Sequence, residues 1–161
     1  MYGGRIIEVK NDEFAELVLM HQKSMYRLAF GILKNNHDAE DALSETIIKA
    51  YENLAGLRDE NKFKPWIMTI LVNVSKNMLA KKSRIQLADD ITAFGEETAG
   101  FHNDIWDSVM SLGEHHMQIV ILYYYDGFST KEIAQILKVS QGTVKSRLSR
   151  ARQHLKQLLS I

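Results

Sequence analysis

The chain has 161 residues, 20 lysines and arginines against 20 aspartates and glutamates, and a formal net charge of zero. That balance argues against a free, indiscriminate polyanion binder, which would be strongly basic, and shifts attention to how charge is distributed. With no cysteine, a disulfide scaffold and thiolate metal sites are excluded, as suits a reducing compartment.

Hydrophobic residues at 45% and charged residues at 25% are ordinary for a globular protein of one medium or two small domains. Residues 1–10 lack the apolar run of a signal peptide, and no stretch approaches the ~20 apolar residues of a membrane span. A soluble, cytoplasmic protein is expected.

A single proline and little β-type alternation predict an all-α chain. Apolar residues recur at helical spacing over 12–33, and Asn35-Asn36 breaks that helix. A second helix is expected over 38–54, with acids in its first turn where the helix dipole favours them. Residues 56–64 read as a loop, and Pro65 suits the first turn of a third helix running to about Lys82. Residues 85–102 carry Asp89, Asp90, Glu96 and Glu97, two glycines and no lysine or arginine. They read as an acidic, flexible linker. Helices are then expected over 104–111, 114–125, 130–137 and 141–159, with Asp126-Gly127 as a turn.

The helix over 38–54 turns Ala39, Ala42, Leu43, Thr46, Ile47 and Ala50 inward. Its other side carries Asp41, Ser44, Glu45 and Glu52, with Ile48 among them. An apolar residue set among carboxylates suits either a basic protein partner or a plain solvated face. Over 62–84 the charge reverses: Lys62, Lys64, Lys76, Lys81, Lys82 and Arg84 meet no acid in the interval. Asn73 and Asn77 lie one helical turn apart with Lys76 beside them, amides for base edges and a cation for phosphate. Phe63 and Trp66 are candidates for stacking on bases, although Trp66, Ile67, Ile70 and Leu71 also read as core.

The strongest signal lies near the C-terminus. Ser129 and Glu132 have capping-box spacing, Lys138-Val139-Ser140 makes a tight turn, and Ser140 can cap the next helix. Two short helices so joined form a helix-turn-helix. At 100° per residue Val144, Leu148, Ala151 and Leu155 form one stripe, which leaves Gly142, Ser146, Ser149 and Gln153 pointing away. These small or amide side chains can meet base edges, flanked by Lys145, Arg147, Arg150 and Arg152. Residues 138–156 contain no acid. Basic helices are often only solvated surface; here the caps, the turn length and the acid-free face agree on DNA.

Three segments taken together resemble the extracytoplasmic-function sigma factors, the smallest members of the main sigma family. They are residues 38–46 (DAEDALSET), residues 63–84 with Trp66 and Asn73, and residues 143–152 (TVKSRLSRAR). The resemblance implies a sigma-two domain over 1–84, a linker over 85–102 and a sigma-four domain over 103–161. It places Asp41, Ser44, Glu45, Ile48 and Glu52 against the clamp helices of the largest subunit of core RNA polymerase, and the sigma-four domain on the flap of the second largest. It assigns Asn73, Lys76 and Asn77 to the downstream (minus-ten) promoter element, with residues 56–64 as a base-capturing loop. Gln141, Thr143, Lys145, Ser146, Ser149, Arg150 and Arg152 are assigned to the upstream (minus-thirty-five) element. It also implies an anti-sigma factor that covers the polymerase-binding surfaces and, if membrane-anchored, holds the protein at the membrane. Gly113 stands where the family usually has proline.

The rival reading is a transcriptional activator with a response-regulator type helix-turn-helix, which would need an upstream domain of alternating strands and helices. No phosphate-binding loop, HExxH or nucleophile elbow occurs, and the six histidines lack metal-ligand spacing. Neither an enzyme, a cofactor, a metal nor a small-molecule substrate is expected.

Overall fold

The computed structural model describes residues 11–89 and 104–160. Its first junction shows how short-range chemistry sets the architecture. Helix α1 (Asn11–Leu33) stops where Lys34 takes a left-handed φ of 54°. Asn35 then does more than break the helix. Its side chain accepts the Asp38 N–H at 2.9 Å and caps α2 (Asn36–Glu52), which therefore begins two residues earlier than its apolar pattern suggests.

A pair of 3₁₀ turns, Leu54–Gly56 and Glu60–Lys62, leads into α3 (Phe63–Asp89). Pro65 sits in the first turn of α3, where no intrahelical N–H bond is lost. The helix runs past Lys82, so residues 85–89, expected to begin the linker, belong to α3. The reason is local: residues 83–89 contain neither glycine nor proline, and the first glycine is Gly95. The rest of the expected linker lies outside the described residues.

The second half comprises α4 (Asp104–Met110), α5 (Glu114–Val120), a π-helical turn (Ile121–Tyr125), α6 (Thr130–Leu137) and α7 (Gln141–Leu159). Among the described residues there is no strand, and no helix is long and apolar enough to cross a membrane.

Helices α1, α2 and α3 pack mutually around Met25, Leu28, Ala42, Ile67 and Leu71. Phe63 is buried in this core, which removes it as a base-stacking candidate; Trp66 is half-buried with its ring centroid 5.9 Å from that of Phe63. Helices α5, α6 and α7 form the second core around Ile119, Leu122, Ile133, Ile136, Val144 and Leu148. The two cores are continuous, because α6 lies along α3 and α5 against α1. At this seam Gly31 lets the backbone of α1 approach Met117 and Ile121, and the Lys34 ammonium donates to the Met110 carbonyl at 2.6 Å.

Candidate nucleic-acid and polymerase-binding faces

Helix α7 is positioned by its caps. The Ser129 hydroxyl accepts the Glu132 N–H and the Glu132 carboxylate accepts the Ser129 N–H, both at 3.1 Å, which fixes the start of α6. Lys138 closes α6 in the left-handed region at φ 55°, and Ser140 accepts the Thr143 N–H at 3.1 Å to open α7. Gln141 donates to the Thr130 hydroxyl at 2.9 Å and ties the two helix starts together.

With Val144, Leu148 and Ala151 buried, α7 presents Gln141, Gly142, Lys145, Ser146, Ser149 and Arg150 to solvent, while Thr143 is half-buried. The Thr143 hydroxyl meets that of Ser140 at 2.8 Å, and the Ser146 hydroxyl donates to the Thr143 carbonyl at 3.1 Å. Both can exchange these local bonds for a base edge or a phosphate.

Arg152 lies on the opposite flank of α7 from Arg150. Its Nε donates to the Tyr124 hydroxyl at 2.6 Å, and its guanidinium lies 5.7 Å from the ring centroids of both Tyr123 and Tyr124. Both tyrosines lie in the π-helical turn Ile121–Tyr125. Arg152 therefore braces the turn, and the tyrosine run at 123–125 is the sequence signal for it.

On α7's other flank the His116 and His154 rings meet edge to face at 5.4 Å. Burial first, then the neighbouring His154, Arg150, His115 and Arg147, lowers the pKa of His116 below the usual imidazole value. His21, whose ring stacks on Phe63, is lowered by burial and then by Lys64.

In the first half Asn73 and Asn77 are exposed on α3, with Lys76 half-buried between them. Two other lysines from the acid-free interval are engaged elsewhere. Lys82 pairs with Asp38 at 2.7 Å, and the Lys64 ammonium donates to the Asp126 carbonyl at 2.9 Å. On α2 Asp41, Ser44, Glu45, Ile48 and Glu52 are all exposed, Ile48 at 58%. Glu45 lies 3.2 Å from Lys49, and Asp41 lies 3.7 Å from the His37 imidazole.

Each half of the chain is matched by a known protein family. Residues 17–85 match the sigma-70 region 2 family and residues 102–155 match sigma-70, region 4. The chain is 33% identical over 135 aligned residues to the RNA polymerase sigma factor SigV of Bacillus subtilis, covering 81% of each protein. The chain belongs to the extracytoplasmic-function group of the sigma-70 family.

The relationship extends across both halves of this sigma factor. It is 28% identical to the ECF RNA polymerase sigma factor SigW of Bacillus subtilis over 99% of this chain and 97% of that protein. The structure of the sigma factor RpoE of Bartonella quintana, solved with the anti-sigma factor NepR, superposes with a TM-score of 0.81 at 26% identity. That superposition covers 93% of this chain and 98% of the other. Neither half alone is long enough to give such a score, so RpoE shares the packing of one half on the other. The activator reading finds no support, since the residues where its strand-bearing domain would lie match region 2 and are helical.

Proposed function

We propose that this sigma factor divides its work among three exposed faces and answers to an anti-sigma factor. The unit over 1–84 docks on the polymerase clamp helices through Asp41, Ser44, Glu45, Ile48 and Glu52. It reads the minus-ten element with Asn73, Lys76 and Asn77. The unit over 103–161 reads the minus-thirty-five element with Gln141, Thr143, Lys145, Ser146, Ser149 and Arg150, while Arg152 acts by holding the Tyr123-Tyr124 turn. The division into units follows the sequence pattern, with α3 carried on to Asp89. The role is one of binding, exercised in the cytoplasm or at a membrane when the anti-sigma factor is anchored there.

The observation that carries this reading is α7: an acid-free helix with both ends of the preceding turn capped, small polar side chains outward and cations beside them. A helix so presented fits a major groove and distinguishes base pairs by their edges. Charge complementarity supports the α2 assignment, because paired acids around one exposed isoleucine suit a basic helical partner.

Two substitutions test the division. Arg150→Ala is expected to cost about 1–3 kcal/mol of upstream-element binding and to relax sequence preference there, if Arg150 grips a guanine in bidentate fashion. Equal weakening on every sequence would reduce it to a phosphate contact. Reversing the charges of Asp41 and Glu45 is expected to weaken polymerase binding while leaving upstream-element binding intact. Unchanged polymerase affinity in a folded variant would make that face plain surface.

A further inference from the structure

The seam between the two halves is built around a side chain that neither proposed DNA-reading face uses. Asp126 sits at the turn before α6, and its carboxylate is fully shielded from solvent. Around it converge groups from the first half. The Arg27 guanidinium of α1 lies 3.5 Å from Oδ1 and 5.0 Å from the centroid of the Tyr125 ring. The Lys64 ammonium of α3 donates to the Asp126 backbone carbonyl and lies 5.0 Å from the centroid of the Phe128 ring. Behind Tyr125 the buried Trp106 closes the packing edge to face at 5.4 Å.

This arrangement is incompletely satisfied. Neither carboxylate oxygen has a hydrogen bond of good geometry. Burial, the largest influence, pushes the Asp126 pKa up, against the opposing pull of Lys64, Ser24 and Arg27. A buried charge held by an imperfect ion pair is tolerated only while its partner stays in place. Asp126 would regain full hydration if the halves separated.

A sigma factor has reason to separate them. Elements centred near minus ten and minus thirty-five are about 25 base pairs apart, or about 85 Å at 3.4 Å per step. A closed chain of this length has a radius of gyration of about 15 Å and spans roughly 40 Å. The closed form cannot lie on both elements at once.

We infer that Arg27 and Lys64, closing on the Asp126–Phe128 turn, form an intramolecular latch that holds the free protein shut and must be released when it engages polymerase. The inference rests on the sigma-factor reading for its purpose and on the seam geometry for its existence. The latch is metastable by construction, and the asymmetry of its parts gives a distinctive signature. Removing Arg27 takes away the ion pair across the seam, leaves only Lys64 and Ser24 to offset the burial of Asp126, and opens the seam. Replacing Asp126 by the isosteric asparagine removes the buried charge, leaves Arg27 over the Tyr125 ring and keeps the seam shut.

The test uses the full chain. Because it has no cysteine, spin labels at Gln22→Cys and Gln157→Cys report the distance between the halves by pulsed dipolar spectroscopy. A single narrow distance is expected for the free protein, a longer and broader distribution for Arg27→Met, and a narrow one for Asp126→Asn. The double variant Arg27→Met/Asp126→Asn is expected to close again. Lys64→Gln provides a second opening variant should Arg27→Met lose helical circular dichroism. Adding core polymerase is expected to shift the parent protein to the long distance. If the open form is a tenth of the free population, Arg27→Met binds polymerase up to about tenfold more tightly. An open parent protein, opening by Asp126→Asn as well as by Arg27→Met, or equal polymerase affinity for shut and open variants would overturn the latch. Failure of every variant to bind polymerase would overturn the sigma-factor reading instead, since the free-protein distances decide the latch without it.

Discussion

Gly31→Ala sets two known effects against each other. Gly31 is buried in the last turns of α1, and an added Cβ would lie 2.7 Å from the Met117 sulfur and 2.9 Å from the Ile121 Cδ1. Both partners are buried side chains and contacts this short force one of them to shift, so the overpacking cost is about 1–3 kcal/mol. Against this, alanine in place of glycine favours the helix by up to about 1 kcal/mol. The clash exists only while α5 lies against α1, whereas the helix gain is present shut or open. The substitution should therefore lower the ratio of closed to open forms by about 5- to 150-fold, at about 1.4 kcal/mol per factor of ten. Small-angle scattering should show the radius of gyration rising above about 15 Å, with helical circular dichroism retained. A variant that melts higher with an unchanged radius would show that Met117 and Ile121 yield freely, and would refute the view of the seam as closely packed.

Other consequences are smaller and separable. Gly113 caps α5 at φ −57°, and a Cβ added there would meet nothing within 4 Å. Gly113→Pro should therefore stabilise by about 0.4–1 kcal/mol and raise Tm in a thermal melt by about 1–4 °C. Ser140→Ala removes the α7 cap and should cost about 1 kcal/mol in denaturant unfolding, with little change in the base preference of whatever duplex is bound. His116 has a folded pKa below its ordinary 6.5, so the unfolded chain takes up a proton first. Stability is accordingly lost as pH falls through about 6.5 and below, and His116→Gln should flatten the dependence of Tm on pH over about 7.5–5.5.

How much of this is legible in the sequence depends on the range of the interaction. The Ser129–Glu132 box and the Ser140 cap join residues three apart, and their outcome can be read directly from spacing. The stripe of Val144, Leu148 and Ala151 is equally plain, because helical period alone places it. The α3 terminus is harder to read: a gain of acidic residues resembles a loop, although residues 83–89 contain no breaker. Asn35 looks like a breaker where its side chain makes it a cap. The fate of Lys64, Lys82, Arg152 and Asp126 is not legible, since each is decided by a partner 28 to 99 residues away in sequence. Asp126 reads as an ordinary turn residue, and only the packing of α1 and α3 against the turn shows it as a buried carboxylate.

That one chain both reads the upstream duplex and acts on the downstream element is tested most directly by run-off transcription with purified core polymerase and this protein alone, with no other sigma factor present. A discrete transcript is expected from a cognate promoter. Asn73→Ala with Asn77→Ala should suppress promoter opening more than upstream-element binding, because those amides would act on the opened strand. Transcripts that appear only after a second sigma factor is added would contradict it.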